Sequence, residues 1–328
     1  MDRTYTCTHV CAGPPGAAKT FISETVSSAT DLNFFFYQLH RDTRLAELVG
    51  DAVVVRTKDP STGGEIIRQE NVPGGMLKAE VAVLDDITRC PGEALNVLLR
   101  ILNERKFGND SLPLKTAIAT GNPASEDYFV EQLDPASLDR FTFQCATKGF
   151  VSSGDWDDAL RVLNMYADAG PTTTRRDESK ARTNDAISAR EILNLTHEQL
   201  LPCVRVGARM KRLLLTVLKT LRERHGLGEN NSLLTDRTFL VKSVRALKAS
   251  AIVDRRLHCE PDDLYVLELL TTFRVPPDVH AHVPDIIREV IDGTVPPIDT
   301  HAVDGDGDDD DDDDGDGDGD AGGRGEGD

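Results

Sequence analysis

The chain has 328 residues, with 37 Lys and Arg against 56 Asp and Glu, and a net charge of −19. Residues 304–328 hold 14 of the acids and one arginine, which leaves −6 for the first 303 residues, enough chain for about two domains that need no disulfide or metal staple. With 39% hydrophobic residues and no run of about 18 apolar residues, a transmembrane helix is excluded, and the start MDRTYTCTHV lacks the apolar stretch of a signal peptide.

Residues 5–12 read as a strand that runs into a Gly/Pro-rich turn. Residues 33–38, 80–84, 115–120 and 141–145 are further candidate strands. Several are apolar nearly throughout, as strands covered on both faces of a parallel sheet are. Between them, residues 91–104 place Leu95, Leu98, Leu99 and Leu102 on one helical face, with Pro91 at the start. This alternation predicts an α/β layer with a parallel sheet. From about residue 150 only helices and loops are expected. Residues 171–187 are mostly polar and read as a flexible connection. Leu214, Val217, Leu218 and Leu221 form one stripe, and Leu240, Val244, Leu247 and Ala251 another, with Thr235 or Asp236 as its cap. Pro261, Asp262 and Asp263 open a further helix. The expected organisation is an α/β unit over 1–148, an all-α unit over 149–300 and a tail over 301–328.

The tail is expected to be disordered, since it holds no apolar residue larger than Ala and its charges repel. An EF-hand loop beginning at Asp310 fails, because Ala321 stands where Glu is needed. The acidic balance argues against tight nucleic-acid binding. Cys7, Cys11, Cys90, Cys145, Cys203 and Cys259 form no C-x-x-C pair and read as reduced thiols of a cytoplasmic protein. His280 and His282 are expected in a loop, and Trp156 carries no signal.

Two motifs carry chemistry. The first turn reads Gly13-Pro14-Pro15-Gly16-Ala17-Ala18-Lys19-Thr20. A tight loop opening a helix points backbone N–H groups at an anion; Lys19 would neutralise phosphate and the Thr20 hydroxyl would ligate Mg²⁺. The strict phosphate-loop pattern has Gly where Ala18 stands. About 60 residues on, the apolar run Val81–Leu84 ends in Asp85-Asp86. Carboxylates at the end of a buried parallel strand stand beside such a loop. Asp85 would hold Mg²⁺ through water, and Asp86 would orient or deprotonate an attacking water.

These motifs resemble the Walker A and Walker B elements of MoxR-type AAA+ ATPases, which often have Ala at the position of Ala18. Residues 77–107 resemble the Walker B strand, its following helix and the start of a hairpin. Thr120-Gly121-Asn122-Pro123 is similar to sensor 1, residues 133–141 to the arginine-finger segment, and residues 233–251 to the sensor 2 helix of the RavA-like branch. The resemblance implies a P-loop AAA+ parallel-sheet domain followed by an all-α lid domain. It implies that Asn122 positions the lytic water or contacts the γ-phosphate, that Arg140 reaches the nucleotide of a neighbouring subunit, and that Arg237 contacts phosphate from its own lid. The implied activity is Mg²⁺-dependent ATP hydrolysis by a homo-oligomeric ring, a hexamer, that remodels a protein client or assists cofactor insertion. The family usually has Asp-Glu where this chain has Asp85-Asp86, and relatives carry an upstream segment where only 12 residues precede Gly13. Both departures favour an alternative, a nucleotide-binding switch or scaffold with weak hydrolysis. A P-loop kinase leaves Asn122, Arg140 and Arg237 unexplained, and a DNA-remodelling ATPase conflicts with the acidic pI of about 4.8.

Overall fold

The computed structural model describes residues 7–30, 32–58, 65–72, 74–122, 133, 135–167, 188–228, 231–234 and 237–298. The polar connection 171–187, the cap candidates Thr235 and Asp236, Pro123 and the tail lie outside the described residues.

All five strands expected from the apolar runs form, and together they make one sheet. They are β1 (Cys7–Ala12), β2 (Phe34–Gln38), β5 (Val81–Asp85), β8 (Thr116–Gly121) and β9 (Phe143–Ala146), in the order β2-β5-β8-β1-β9. Every pairing is parallel. β5 is buried along its whole length, as its unbroken apolar run requires. The hairpin expected to start near residue 107 forms as the two-residue antiparallel pair β6 (Lys106–Phe107) with β7 (Asp110–Ser111), while a second antiparallel hairpin, β3 (Ala52–Lys58) with β4 (Glu65–Asn71), went unread in the sequence. The described side chains of β3 and β4, Val53, Val54 and Ile67 among them, are exposed.

Helix α1 (Lys19–Ala29) follows β1, α2 (Leu45–Val49) follows β2, and α3 (Gly92–Glu104) follows β5. In α3, Leu98, Leu99 and Leu102 are buried with Ala94 and Ile101, and Pro91 is the residue before the first turn. Full burial of such a side chain stabilises by about 1.5–3 kcal/mol. Met76, Leu84, Leu98, Ala119 and Phe141 belong to one continuous core under the sheet.

A helical region follows, with a core of its own. Its longest members are Ala208–His225 and Arg237–Val253. In the first, Leu214, Val217 and Leu221 are buried as expected. In the second the stripe is corrected: Phe239, Ser243, Ala246, Leu247 and Ala251 face the core, while Leu240 and Val244 flank it. Phe239 fills more volume than Leu240 and takes the centre. The segment opened by Pro261 is a 3₁₀ turn, Pro261–Val266, that continues into the helix Leu267–Thr271. His280 is not a loop residue, while His282 lies in the short turn between two helices, as expected. His280 ends the helix Pro277–His280 and lies 3.2 Å from Thr271 Oγ1 through Nδ1. His282 precedes the helix Val283–Ile291 and stacks on His225 at 5.6 Å.

The helical region is tied to the sheet by Arg274. Its side chain is fully buried and donates to the carbonyls of Phe141 (2.5 Å), Thr142 (3.2 Å) and Asp139 (3.4 Å). Lys242 donates to the carboxylate of Asp139 at 3.2 Å, and the Phe273 amide donates to Gln144 Oε1 at 3.1 Å. These contacts dock the second region against β9 and the turn before it.

Candidate functional site

A parallel sheet gathers the ends of its strands on one edge, and ligands sit where the strand order reverses. Here the order reverses at β1, between β8 and β9. The turn after β1 lies on that edge, and the Gly13 amide donates to Gly121 O at 3.3 Å, at the end of β8. Gly13 has no room for a side chain, since a Cβ there would stand 1.9 Å from Thr147 Oγ1. Gly16 lies at φ +83°. Ala18 takes the left-handed conformation too, at φ +56°. Glycine is free to adopt that conformation, and alanine adopts it at a cost of roughly 1–2 kcal/mol. The loop thus keeps its shape although Ala replaces Gly.

Ala18 is the residue before α1 and gives no side-chain cap. The first N–H groups of that 11-residue helix therefore face outward with no partner from the helix itself. Lys19 Nζ folds back over the loop, donating to Gly13 O (2.8 Å), Pro14 O (2.9 Å) and Asn122 Oδ1 (3.4 Å). Burial lowers the pKa of its ammonium, and the nearby Asp86 and Asp85 carboxylates pull it partly back up.

The carboxylates stand across from it. The Thr20 hydroxyl donates to Asp85 Oδ1 at 2.6 Å, and the Thr120 hydroxyl donates to the same oxygen. Asp85 is 8% exposed. The Asp86 amide donates to Thr120 Oγ1 at 3.3 Å, so Thr120 spans both acidic residues. Asp86 itself sits at φ +55°, and its carboxylate accepts from Asn122 Nδ2 at 3.3 Å and pairs with Arg89 at 3.6 Å.

Lys19, Thr20, Asp85, Asp86 and Asn122 thus form one cluster with the turn Gly13–Ala18. Arg140 and Arg237 are not in it. Arg140 follows α4 (Pro135–Asp139), and its carbonyl accepts from Thr8 Oγ1 at 2.7 Å. Thr8 is four residues before the end of β1, roughly 13 Å along the strand from the phosphate-loop edge. Arg237 is the exposed first residue of the helix Arg237–Val253. Arg89 and Thr147 are site neighbours that the sequence reading missed, and Thr120, named there only within the sensor 1 segment, was given no role. A lone Thr or Arg near a strand end has no spacing to announce its partners.

Comparison with known proteins agrees with this geometry. Residues 10–141 match the family model of the AAA domain (dynein-related subfamily). Two uncharacterized proteins of Methanocaldococcus jannaschii are each 26% identical to it, over 258 and 259 residues. Each alignment covers 79% of this chain, and the chain spans about three fifths of those relatives' length (60% and 61%). The crystal structure of a "putative ATPase" from Cytophaga hutchinsonii superposes with a TM-score of 0.60 at 18% identity, covering 89% of this chain and 86% of the other. This likeness extends the shared fold beyond the AAA domain into the helical region.

Proposed function

We propose that the chain is a Mg²⁺-dependent, ATP-hydrolysing AAA+ protein of MoxR type that acts as a homo-oligomeric ring, a hexamer, on a protein client or in cofactor insertion. The observation that carries this reading is the meeting of Lys19, Thr20, Asp85, Asp86 and Asn122 beside an uncapped helix N-terminus. That donor set fits both groups. Backbone N–H groups and an ammonium suit a polyphosphate. A hydroxyl and a carboxylate 2.6 Å apart are hard oxygen donors of the kind Mg²⁺ takes.

When bound, ATP supplies the phosphoryl group and Mg²⁺ neutralises charge on its oxygens. Lys19 exchanges its loop carbonyls for phosphate oxygens. Thr20 and Asp85 hold the cation, and the Thr120 hydroxyl fixes the carboxylate that does so. Asp86 takes the proton of the attacking water, and Asn122 orients that water. Arg140 serves a neighbouring copy, because its own chain's site is at the other end of the strand. Arg237 contacts phosphate from the helical region, which moves as a lid over the α/β unit. We assign the α/β unit to 1–148 and the lid to 149–300. Exposed apolar side chains on α1, Phe21 (64%) and Ile22 (56%), support burial against another copy. The cysteines Cys11, Cys90, Cys145, Cys203 and Cys259 are free, which supports a reducing, cytoplasmic setting. Among the described residues no helix is long and apolar enough to cross a membrane.

The test mixes two inactive proteins, Lys19→Ala and Arg140→Ala. Recovery of ATPase activity on mixing is expected, since each supplies what the other lacks. Absence of recovery in assembled mixtures overturns the trans role of Arg140. A second reading, a nucleotide-dependent switch with weak turnover, is favoured by the Asn122 and Arg89 contacts that occupy the short Asp86 carboxylate. Asp86→Glu separates the two: faster turnover identifies the missing methylene as limiting, and an unchanged or lower rate removes that explanation.

A further inference from the structure

β1 and β9 carry a pair of thiols that nucleotide chemistry does not use. Cys11 and Cys145 are direct partners in the parallel pairing of the two strands. Both are free and half-buried. The neighbouring Cys11 thiol brings the Cys145 thiol down to about 7, against the opposing effect of burial. Cys11 is correspondingly pushed up, by Cys145 and by burial. The strand pairing thus sets two thiols side by side, with Cys145 the more acidic.

The backbone geometry permits a bond between them. Adjacent strands lie about 4.8 Å apart, which places in-register Cα atoms inside the roughly 4.4–6.8 Å span of disulfides. Parallel side chains leave the Cβ atoms about as far apart, slightly beyond the roughly 3.5–4.5 Å that a disulfide needs. Closure must therefore draw β1 and β9 together by several tenths of an ångström. The strain falls next to the phosphate loop. Cys11 is two residues before Gly13, and Cys145 two residues before Thr147. The Thr147 amide donates to Ala12 O at 2.8 Å, and Gly13 already packs so tightly that a Cβ would meet Thr147 Oγ1 at 1.9 Å.

We propose that Cys11 and Cys145 are a dithiol modification site that a two-electron oxidant of the peroxide class closes to a disulfide, loosening the grip of the adjacent loop on nucleotide. The Cys145 thiolate attacks one peroxide oxygen, forming a sulfenic acid and releasing hydroxide, which takes up a proton as water. The Cys11 sulfur then attacks the sulfenic sulfur, and the S–O bond breaks to release a second water. Two thiols and one hydrogen peroxide give one disulfide and two waters; sulfur loses two electrons and the peroxide gains them. Strain favours the return reaction, so small thiols reopen the bond. The loop half of this proposal rests on the nucleotide reading above; the chemical half does not.

The experiment treats the full chain with hydrogen peroxide in a Cys7→Ser background, because Cys7 shares the tryptic peptide of Cys11. Disulfides are mapped by mass spectrometry, the fold is followed by circular dichroism, and affinity for Mg·ADP is titrated before and after oxidation. The expected result is an intrachain Cys11–Cys145 bond that forms before Cys90, Cys203 or Cys259 reacts and that dithiothreitol reverses. Affinity for ADP falls threefold or more on oxidation, and Cys145→Ser abolishes both effects. Folded protein in which either thiol goes on to sulfinic acid, or pairs elsewhere, overturns the site. A Cys11–Cys145 bond with unchanged ADP affinity overturns the coupling to the loop. Reduced protein that binds no ADP defeats the nucleotide reading, while peptide mapping still decides the dithiol.

Discussion

Ala18 and Thr120 show how much of this site rests on single atoms. Ala18 holds a left-handed conformation at φ +56°. Replacing it with Gly removes a cost of roughly 1–2 kcal/mol and adds back about 0.5–1 kcal/mol of chain entropy. Ala18→Gly is therefore expected to raise unfolding stability by about 0.5–1 kcal/mol in urea titrations, with nucleotide affinity retained. A lower midpoint contradicts the strain assignment. Thr120 bridges Asp85 and the Asp86 amide through one hydroxyl. A hydrogen bond to a charged group contributes about 1.5–3 kcal/mol. Thr120→Val is expected to cut ATP turnover roughly 10- to 100-fold and raise the Mg²⁺ concentration needed, and Thr120→Ser should restore both. Equal rates in the Val and Ser variants remove the hydroxyl from the argument. At this scale the sequence was legible where residue types recur in a pattern. Lys19, Thr20, Asp85 and Asp86 have that pattern; the bridging role of Thr120 does not, because it depends on which strand lies beside β5.

At the scale of elements, β1 and the Arg274 helix junction are the informative parts. His9 lies in β1, stacked on Phe143 at 5.3 Å. Burial, helped by Arg105, lowers its pKa to about 4, against an ordinary value of 6.5. The folded chain thus holds His9 neutral while the unfolded chain takes a proton near pH 6.5. Stability is full above that value and falls as the pH drops from about 6.5 to 4, by on the order of 3 kcal/mol. His9→Phe should flatten this slope in unfolding titrations across the same window; an unchanged slope assigns it to other groups. Arg274 places its guanidinium against the carbonyls of Asp139, Phe141 and Thr142. Arg274→Met leaves them unpaired and is expected to cost about 3–5 kcal/mol, visible in thermal unfolding. A loss below 1 kcal/mol shows that water replaces the guanidinium. Periodicity found the helices here and the buried Leu247 and Ala251 of Arg237–Val253, but Phe239 takes the place expected of Leu240. Neighbouring Leu240 and Phe239 are both apolar, and only the packed core decides which points inward.

For the whole molecule, the Arg140 backbone lies beside Thr8, four residues before the end of β1, while Lys19 lies beyond the other end. On the proposed reading, a second chain therefore supplies the arginine to each site. Specific ATPase activity is expected to rise with protein concentration through the assembly range, in step with mass from light scattering. Arg140→Ala should lower kcat by about 10³-fold or more without weakening ATP binding. Activity independent of concentration in a monomer overturns the shared site. The sequence alone determined the five-stranded parallel layer, the phosphate-loop turn and the acidic strand end, because burial on both faces and tight turns leave local marks in residue type and spacing. Only the tertiary structure decided which strands are neighbours, and with that the hydroxyl bridge of Thr120, the thiol pair of β1 and β9, and the buried arginine at the junction. Those depend on residues from 35 to 135 positions apart meeting across the core, and such distant contacts follow from the packing of whole elements rather than from any local pattern.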